Sequence, residues 1–359
     1  MKVIVLGAGA VGCYLGGRLA LAGHKVTLVG RAPLVEATRG VGLLLHEDQV
    51  RSVPAAVTSS WEEAIDVSGP PDVVFATVKA FDVPAVGELV AAAGGDFPVV
   101  AWQNGVGSEE RLAGVLGSGR VVSATLTASV SMPQAGIVQV YTPGRGVAVA
   151  PMVDEHGGQT VGAALAGELG EMLRSAGLKV FFAPDHRSLK WSKLCLNIML
   201  NASCAILDRT PAEVAADPLV FDLERAAFGE ATAVMTRLGA RPVRLPGYSL
   251  PVVRALFLRA PAWVGRTAMA HLGGGGRGGK LPSLLGDLRR GRRRTEIDYL
   301  NGAVAEWGKR LGVETPVNRV LASLVAGLAA GTIDPADFRG NPRALWRFVA
   351  QTSLGMTTA

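Results

Sequence analysis

Residues 7 to 12 read Gly7-Ala8-Gly9-Ala10-Val11-Gly12, between the apolar run KVIVL at 2–6 and a proline-free, Ala/Leu/Gly-rich stretch at 10–22. A strand that turns straight into a helix through G-x-G-x-x-G has a narrow use. The first glycine permits the tight turn, the second lets backbone approach a pyrophosphate, and the third lets helix and strand pack closely. The helix N-terminus then stabilises the phosphate charge. Gly23 stops the helix and KVTLV at 25–29 supplies a second buried strand. The spacing closes a βαβ unit within about 30 residues. It predicts a dinucleotide site with Gly7, Ala8, Gly9, Ala10, Val11 and Gly12 around the phosphates.

The pattern recurs in DVVFATV at 72–78 and PVVAW at 98–102, and more strands follow between 121 and 150. Residues 159–176 suit a helix and 178–182 a last strand, which predicts a mostly parallel sheet covered on both faces. After Pro184 the periodicity changes to helix after helix, over 187–206, 211–238, 248–271, 282–290, 295–311, 316–330 and 341–350. The expected fold class is α/β, a Rossmann-type dinucleotide-binding domain at 1–184 followed by an all-helical domain at 185–359.

At 359 residues, with 49% hydrophobic and 18% charged side chains, the chain can bury two cores. Its net charge of +6 favours anionic partners such as phosphates and carboxylates and is too small to imply nucleic acid. Five arginines fall within Arg289–Arg294, but no aromatics interleave them, so they read as a solvated or anion-attracting surface. Three cysteines form no Cys-x-x-Cys pair and five histidines show no ligand spacing, so neither a disulfide framework nor a metal is expected. Glycines at 7, 9, 12, 16 and 17 break the N-terminal apolar run, and no stretch of about 20 apolar residues follows. A cytoplasmic protein with no membrane partner is expected, with a homodimer left open. Gly273–Gly279, six glycines in seven residues, reads as a flexible insertion or a lid.

The end of the second strand selects the cofactor. A carboxylate there would bond a ribose 2′-hydroxyl and repel a 2′-phosphate, but the chain has Gly30-Arg31, and a guanidinium binds that phosphate. NADP(H) is the expected cofactor. In the helical half, Lys193, Asn197 and Asn201 recur every four residues, and each step rotates only about 40° around a helix. An ammonium and two amides on one face of an apolar helix need partners, either an oxygen-rich ligand or a polar network between helices. Lys190, three residues earlier, reads as a cation near the helix start that reaches water. Glu296 extends the apolar row Leu300, Val304, Trp307 and Leu311 back by one turn, which flags a functional carboxylate or an ion pair with a nearby arginine.

Together with the glycine loop and Arg31, the segments Thr77-Val78-Lys79-Ala80, Gln103-Asn104-Gly105, Lys193-x-x-x-Asn197-x-x-x-Asn201 and Thr295-Glu296-Ile297-Asp298 form one pattern. The chain resembles the ketopantoate reductases (2-dehydropantoate 2-reductases), NADPH enzymes of pantothenate biosynthesis built from a Rossmann domain and a helical domain. The resemblance implies reduction of a 2-keto acid with Lys193 as general acid. It makes Asn197 and Asn201 substrate holders and gives Glu296 contacts with substrate, cofactor and Lys193. It places Lys79 beside the cofactor and Asn104 near nicotinamide and substrate. Ser283 resembles the family's substrate serine, with a helix cap after Pro282 as the alternative. Asp82 and a longer stretch between Arg241 and Lys280 depart from the family pattern. The rival readings are a paralogue that reduces another keto acid or condenses one with an amine, and a non-catalytic NADP(H) sensor. Lys193 and Glu296 argue against the sensor, which needs no proton donor.

Overall fold

The apolar run at the start of the chain is β1 (Lys2–Leu6), the glycine turn leads into α1 (Ala10–Leu21), and β2 (Lys25–Val29) lies parallel to β1. The computed structural model describes residues 1–153, 162–274 and 280–354. Next come α2 (Ala32–Thr38), β3 (Leu43–His46), β4 (Val50–Val53), β5 (Ala56–Thr58) and α3 (Trp61–Ser68). They are followed by β6 (Val73–Ala76), α4 (Val83–Ala92), β7 (Val99–Ala101), α5 (Ser108–Leu116) and β8 (Val121–Leu126). The strands β9 (Val130–Gln134), β10 (Ile137–Val140) and β11 (Gly146–Pro151) precede α6 (Gly162–Ser175) and β12 (Lys179–Phe182).

Eight strands form one sheet in the order β12-β11-β8-β7-β6-β1-β2-β5, parallel throughout except for the antiparallel β8–β11 pair. This is the Rossmann-type arrangement expected from the sequence. The winding reverses between β1 and β6, and the carboxyl ends of β1, β2, β6 and β7 share one edge, where such sheets take ligands. Alternate residues of β1 serve opposite faces. Val3 and Val5 join a core with Leu15 and Leu19 of α1, while Ile4 and Leu6 join Trp61, Val90 and Leu112.

A second sheet, β4-β3-β10-β9, was not expected from the sequence. Its Leu43, Leu45, Val138 and Val140 share the core of α1, and a Cβ at Gly17 would lie 2.9 Å from Leu45 Cδ1. Glycine in α1 thus permits the close approach of β3.

By contacts the chain divides into one unit of residues 1–103, 107–190 and 244–248, and a second of 104–106, 191–243 and 249–359. The helices from 186 on are α7 (His186–Ile198), α8 (Asn201–Leu207), α9 (Pro211–Ala216), α10 (Pro218–Arg237), α11 (Leu250–Leu258) and α12 (Ala262–Gly274). Then come α13 (Ser283–Arg289), α14 (Asn301–Leu311), α15 (Pro316–Ala330) and α16 (Pro342–Leu354). From residue 275 on, the glycine run read as an insertion or lid lies outside the described residues.

Three expected helices are each divided in two. The 211–238 helix breaks at Asp217, whose carboxylate accepts the Leu219 and Val220 N–H groups while Pro218 opens α10. The 248–271 helix ends at Leu258 and resumes beyond Pro261. The third break, at Leu200, shapes the site. The helical core gathers Leu194, Ile198, Phe221, Phe228, Val304 and Leu321. Within it Asn301 Nδ2 donates to Asn318 Oδ1 (3.0 Å), and Asn318 Nδ2 donates to the Ala227 carbonyl (2.8 Å) and to Glu230 (2.7 Å), joining α14, α15 and α10. The thiols of Cys13 and Cys195 are pushed up to about 12 by burial, which suppresses the reactive thiolate. Among the described residues no helix is long and apolar enough to cross a membrane.

Candidate active site

The glycine loop separates what the fold needs from what a ligand needs. Gly7 has φ +99°, and a Cβ there would lie 2.5 Å from the Val78 amide nitrogen. A Cβ at Gly12 would meet Thr77 Oγ1 at 2.5 Å and the Gly7 carbonyl at 2.7 Å. Thr77 Oγ1 donates to the Leu6 and Gly7 carbonyls (3.1 and 2.9 Å) and so fastens the loop to the end of β6. Gly9 is different, since a Cβ there would meet nothing nearer than the Gly7 carbonyl at 4.0 Å. It is the N-cap of α1 and has no side chain to accept the first N–H groups. An uncapped helix start beside open space fits a phosphate.

At the end of β2 a Cβ on Gly30 would lie 3.0 Å from that of Ala8, so Gly30 allows this strand end to sit against the loop. Arg31, exposed, is the N-cap of α2. Lys79, half-buried, lies beyond the end of β6 and caps the short 3-10 turn Ala80–Asp82. Gln103 has a role that sequence reading missed. Its Nε2 donates to the Ala76 and Val78 carbonyls (2.8 and 3.2 Å), tying the ends of β7 and β6 together.

The remaining expected site residues belong to the helical unit. Lys193 and Asn197 lie one helical turn apart on α7, both half-buried. Asn197 Nδ2 donates to Asn104 Oδ1 at 2.9 Å. Asn104 is held by its neighbour, because Gly105 has φ +86° and any Cβ there would overlap the Tyr299 carbonyl. That close approach joins the Asn104 turn to the 3-10 turn Ile297–Tyr299, directly after Glu296, which is 7% exposed. Glu296 thus precedes a 3-10 turn, and α14 begins only at Asn301.

Asn201 departs from the expected single row. The helix that carries Lys193 and Asn197 ends at Ile198, Leu200 adopts φ +62°, and Asn201 opens α8. The cause is the Glu224 carboxylate, 2% exposed, which accepts the Leu200 N–H at 2.8 Å and the Ser203 hydroxyl. Asn201 turns to α13, where its Nδ2 donates to Ser283 Oγ at 3.4 Å and its Oδ1 accepts the Leu284 N–H at 3.2 Å. The alternative reading of Ser283 as a helix cap fails, because Pro282 holds the N-cap position and Asn201 supplies the oxygen.

Lys190 also departs from the expected water-exposed position. It is 2% exposed and does not reach water. Its Nζ lies 2.9 Å from Glu109 Oε1 and donates to the Gln103 and Ala101 carbonyls at 2.7 and 3.3 Å. Glu109, 1% exposed, also accepts the Ser123 hydroxyl at 2.8 Å. The first turn of α7 is buried with it, including Ser188 and Leu189 at 0%. Lys190 is thus a structural cation, and half-buried Lys193 is the more accessible of the two.

Lys190→Ala leaves a buried carboxylate without its ammonium and lowers the unfolding free energy by about 3 kcal/mol or more in denaturant titration; an unchanged midpoint contradicts the buried pair. Gly9→Ala costs less than about 1 kcal/mol of stability, since nothing obstructs its Cβ, but weakens dinucleotide binding about 10-fold or more. Gly7→Ala destabilises the fold itself, and equal effects of the two substitutions on stability contradict the division of roles.

Family models match the chain twice: the ketopantoate reductase PanE/ApbA model over residues 3–150 and its C-terminal model over 185–329. A 2-dehydropantoate 2-reductase of Archaeoglobus fulgidus is 30% identical over 330 residues, covering 92% of this chain and 98% of the relative. One from Mesorhizobium japonicum is 30% identical over 352 residues, at 92% and 98% coverage. The crystal structure of a PanE/ApbA family ketopantoate reductase from Ralstonia eutropha superposes with a TM-score of 0.73 at 29% identity, covering 92% of this chain and 99% of that one. A ternary structure of D-mandelate dehydrogenase with NADH and anilino(oxo)acetate shares the fold, with a TM-score of 0.75 at 22% identity and coverage of 92% and 99%. The glycine loop, the amide pair of Asn104 and Asn197 and the buried Glu296 lie within a chain that belongs to the ketopantoate reductase family of oxidoreductases.

Proposed function

We propose that this chain reduces a 2-keto acid to the 2-hydroxy acid with NADPH, and that its substrate is 2-dehydropantoate, giving pantoate for pantothenate biosynthesis. In this reading residues 1–184 form the NADP-binding domain and 185–359 the substrate and catalytic domain. The observation that carries it is the grouping within the helical unit. Lys193 and Asn197 share a helix, Asn197 is bonded to Asn104, and the Asn104 turn abuts the turn that follows buried Glu296.

Gly7, Ala8, Gly9, Ala10, Val11 and Gly12 hold the pyrophosphate, Arg31 holds the 2′-phosphate, and Lys79, Asn104 and Glu296 complete the cofactor contacts. The bound nucleotide supplies a hydride to the carbonyl carbon. The oxygen of that carbonyl then needs positive charge and a proton, and the Lys193 ammonium gives both. Asn104, Asn197, Asn201 and Ser283 hold the keto acid through neutral donors, while the Glu296 carboxylate orients Lys193 and a substrate hydroxyl.

The reading is tested by following NADPH absorbance with a panel of 2-keto acids. Turnover of 2-dehydropantoate is the expected result; turnover of a different keto acid alone replaces the substrate, and tight NADPH binding with no turnover replaces the enzyme by a sensor. Lys193→Ala lowers kcat by about 100-fold or more while NADPH binding survives. Glu296→Ala weakens substrate binding and turnover together. NADPH binds about 10-fold or more tightly than NADH through charge-assisted bonds to Arg31, and Arg31→Asp narrows or reverses the gap. Equal affinity of the unmodified chain for both nucleotides contradicts the cofactor assignment.

A further inference from the structure

The arginine run takes no part in the chemistry above. Two of its members, Arg289 and Arg292, join Arg339 and Asp208 around a cleft of about 170 Å³ in the helical unit, with Ile206, Leu285, Leu288 and Leu328 among its apolar lining. Arg289 Nε donates to Asp208 Oδ1 at 2.7 Å, and its Nη2 donates to the Asp208 carbonyl at 3.3 Å. Arg339 Nε lies 3.5 Å from Asp208 Oδ2, and Arg292 Nε lies 3.5 Å from Asp287 Oδ1, which Arg290 already holds at 2.7 Å. Four guanidiniums thus reach these two carboxylates. Arg292 and Arg339 are the loosely held pair. Both distances exceed good hydrogen-bond length, and the side chains are 51% and 65% exposed. Each can turn to a better acceptor at little cost.

We propose that this cleft binds a small organic anion with a compact oxyanion head and a short apolar part, a phosphate monoester being the type. Arginine forks match phosphate oxygens, and the apolar wall takes the remainder. The cleft is smaller than the roughly 300 Å³ at which drug-sized pockets begin, which favours a small ligand over a whole nucleotide.

Its position gives occupancy a consequence. Helices α8 and α13 lie side by side, each about 10 Å long. Their first residues are joined through Asn201, Ser283 and Leu284, and their far ends through Asp208 and Arg289. An anion that Arg292 and Arg339 hold beside Arg289 competes with Asp208 for the Arg289 guanidinium and so loosens the far joint of the two helices whose near ends hold the keto acid, on the function proposed above. Occupancy raises the keto-acid KM by about twofold or more.

Inorganic phosphate and butyl phosphate, added to the full chain at constant ionic strength against chloride, test the site by calorimetric titration and thermal midpoint without any keto acid. The expected result is that both bind and raise the midpoint, butyl phosphate several-fold more tightly because its alkyl group is buried. Arg292→Gln/Arg339→Gln keeps the short Arg289–Asp208 pair and weakens binding about 10-fold or more. Asp208→Asn tightens it, since asparagine tolerates the φ of +51° and removes the competing carboxylate. Arg31→Ala leaves it unchanged. No stabilisation beyond chloride, undiminished binding in the double variant, or loss in Arg31→Ala overturns the site. A keto-acid KM unmoved by saturating butyl phosphate overturns the coupling, whereas absence of any turnover before butyl phosphate is added is a failure of the reductase reading instead.

Discussion

A single buried carboxylate sets the corner between α7 and α8, on which the proposed substrate site depends. Glu224 accepts the Leu200 N–H and the Ser203 hydroxyl, and Leu200 is held at a positive φ where a leucine is costly. Without that acceptor the apolar stretch 187–206 has every local reason to be one helix. With it, the chain ends α7 after Ile198, and Asn201 leaves the row of Lys193 and Asn197 to cap α13. The polar groups of the proposed substrate site therefore divide between two places, Asn197 with Asn104 and Asn201 with Ser283.

Much of the fold is legible in the sequence where local chemistry and tertiary structure agree. The β1–α1–β2 unit is written in apolar runs around a glycine turn, and α15 matches its expected span of 316–330 residue for residue. The second sheet is only half legible: β9 and β10 fall where strands are expected between 121 and 150, but β4 exposes three of its four residues and carries no alternation to read. The breaks at Asp217-Pro218 and Pro261 do carry a signal, since proline opens helices and seldom continues them. The break at Leu200 carries none, because its cause lies 24 residues away.

The same limit governs the two lysines of α7. From periodicity alone, Lys190 near a helix start belongs in water and Lys193 in the core. The partners overturn the first of these, since Glu109 and the Ala101 and Gln103 carbonyls enclose Lys190, while Lys193 is half-buried. Buried charge is decided by what stands opposite, which one strand of sequence does not display. The glycine loop is the contrasting case. Gly7 and Gly12 are explained by backbone and side-chain contacts inside the protein, whereas Gly9 has no such contact and points to a ligand.

On the proposed function, Glu224 places Asn201 for the keto acid and leaves the dinucleotide half alone. Glu224→Leu, which removes both acceptors at similar size, measures this through the keto-acid KM and the NADPH dissociation constant of the same preparation. The expected result is a KM raised about 10-fold or more, the scale of losing a substrate hydrogen bond, with NADPH affinity unchanged. A folded Glu224→Leu protein with the unmodified KM would contradict this role of Glu224.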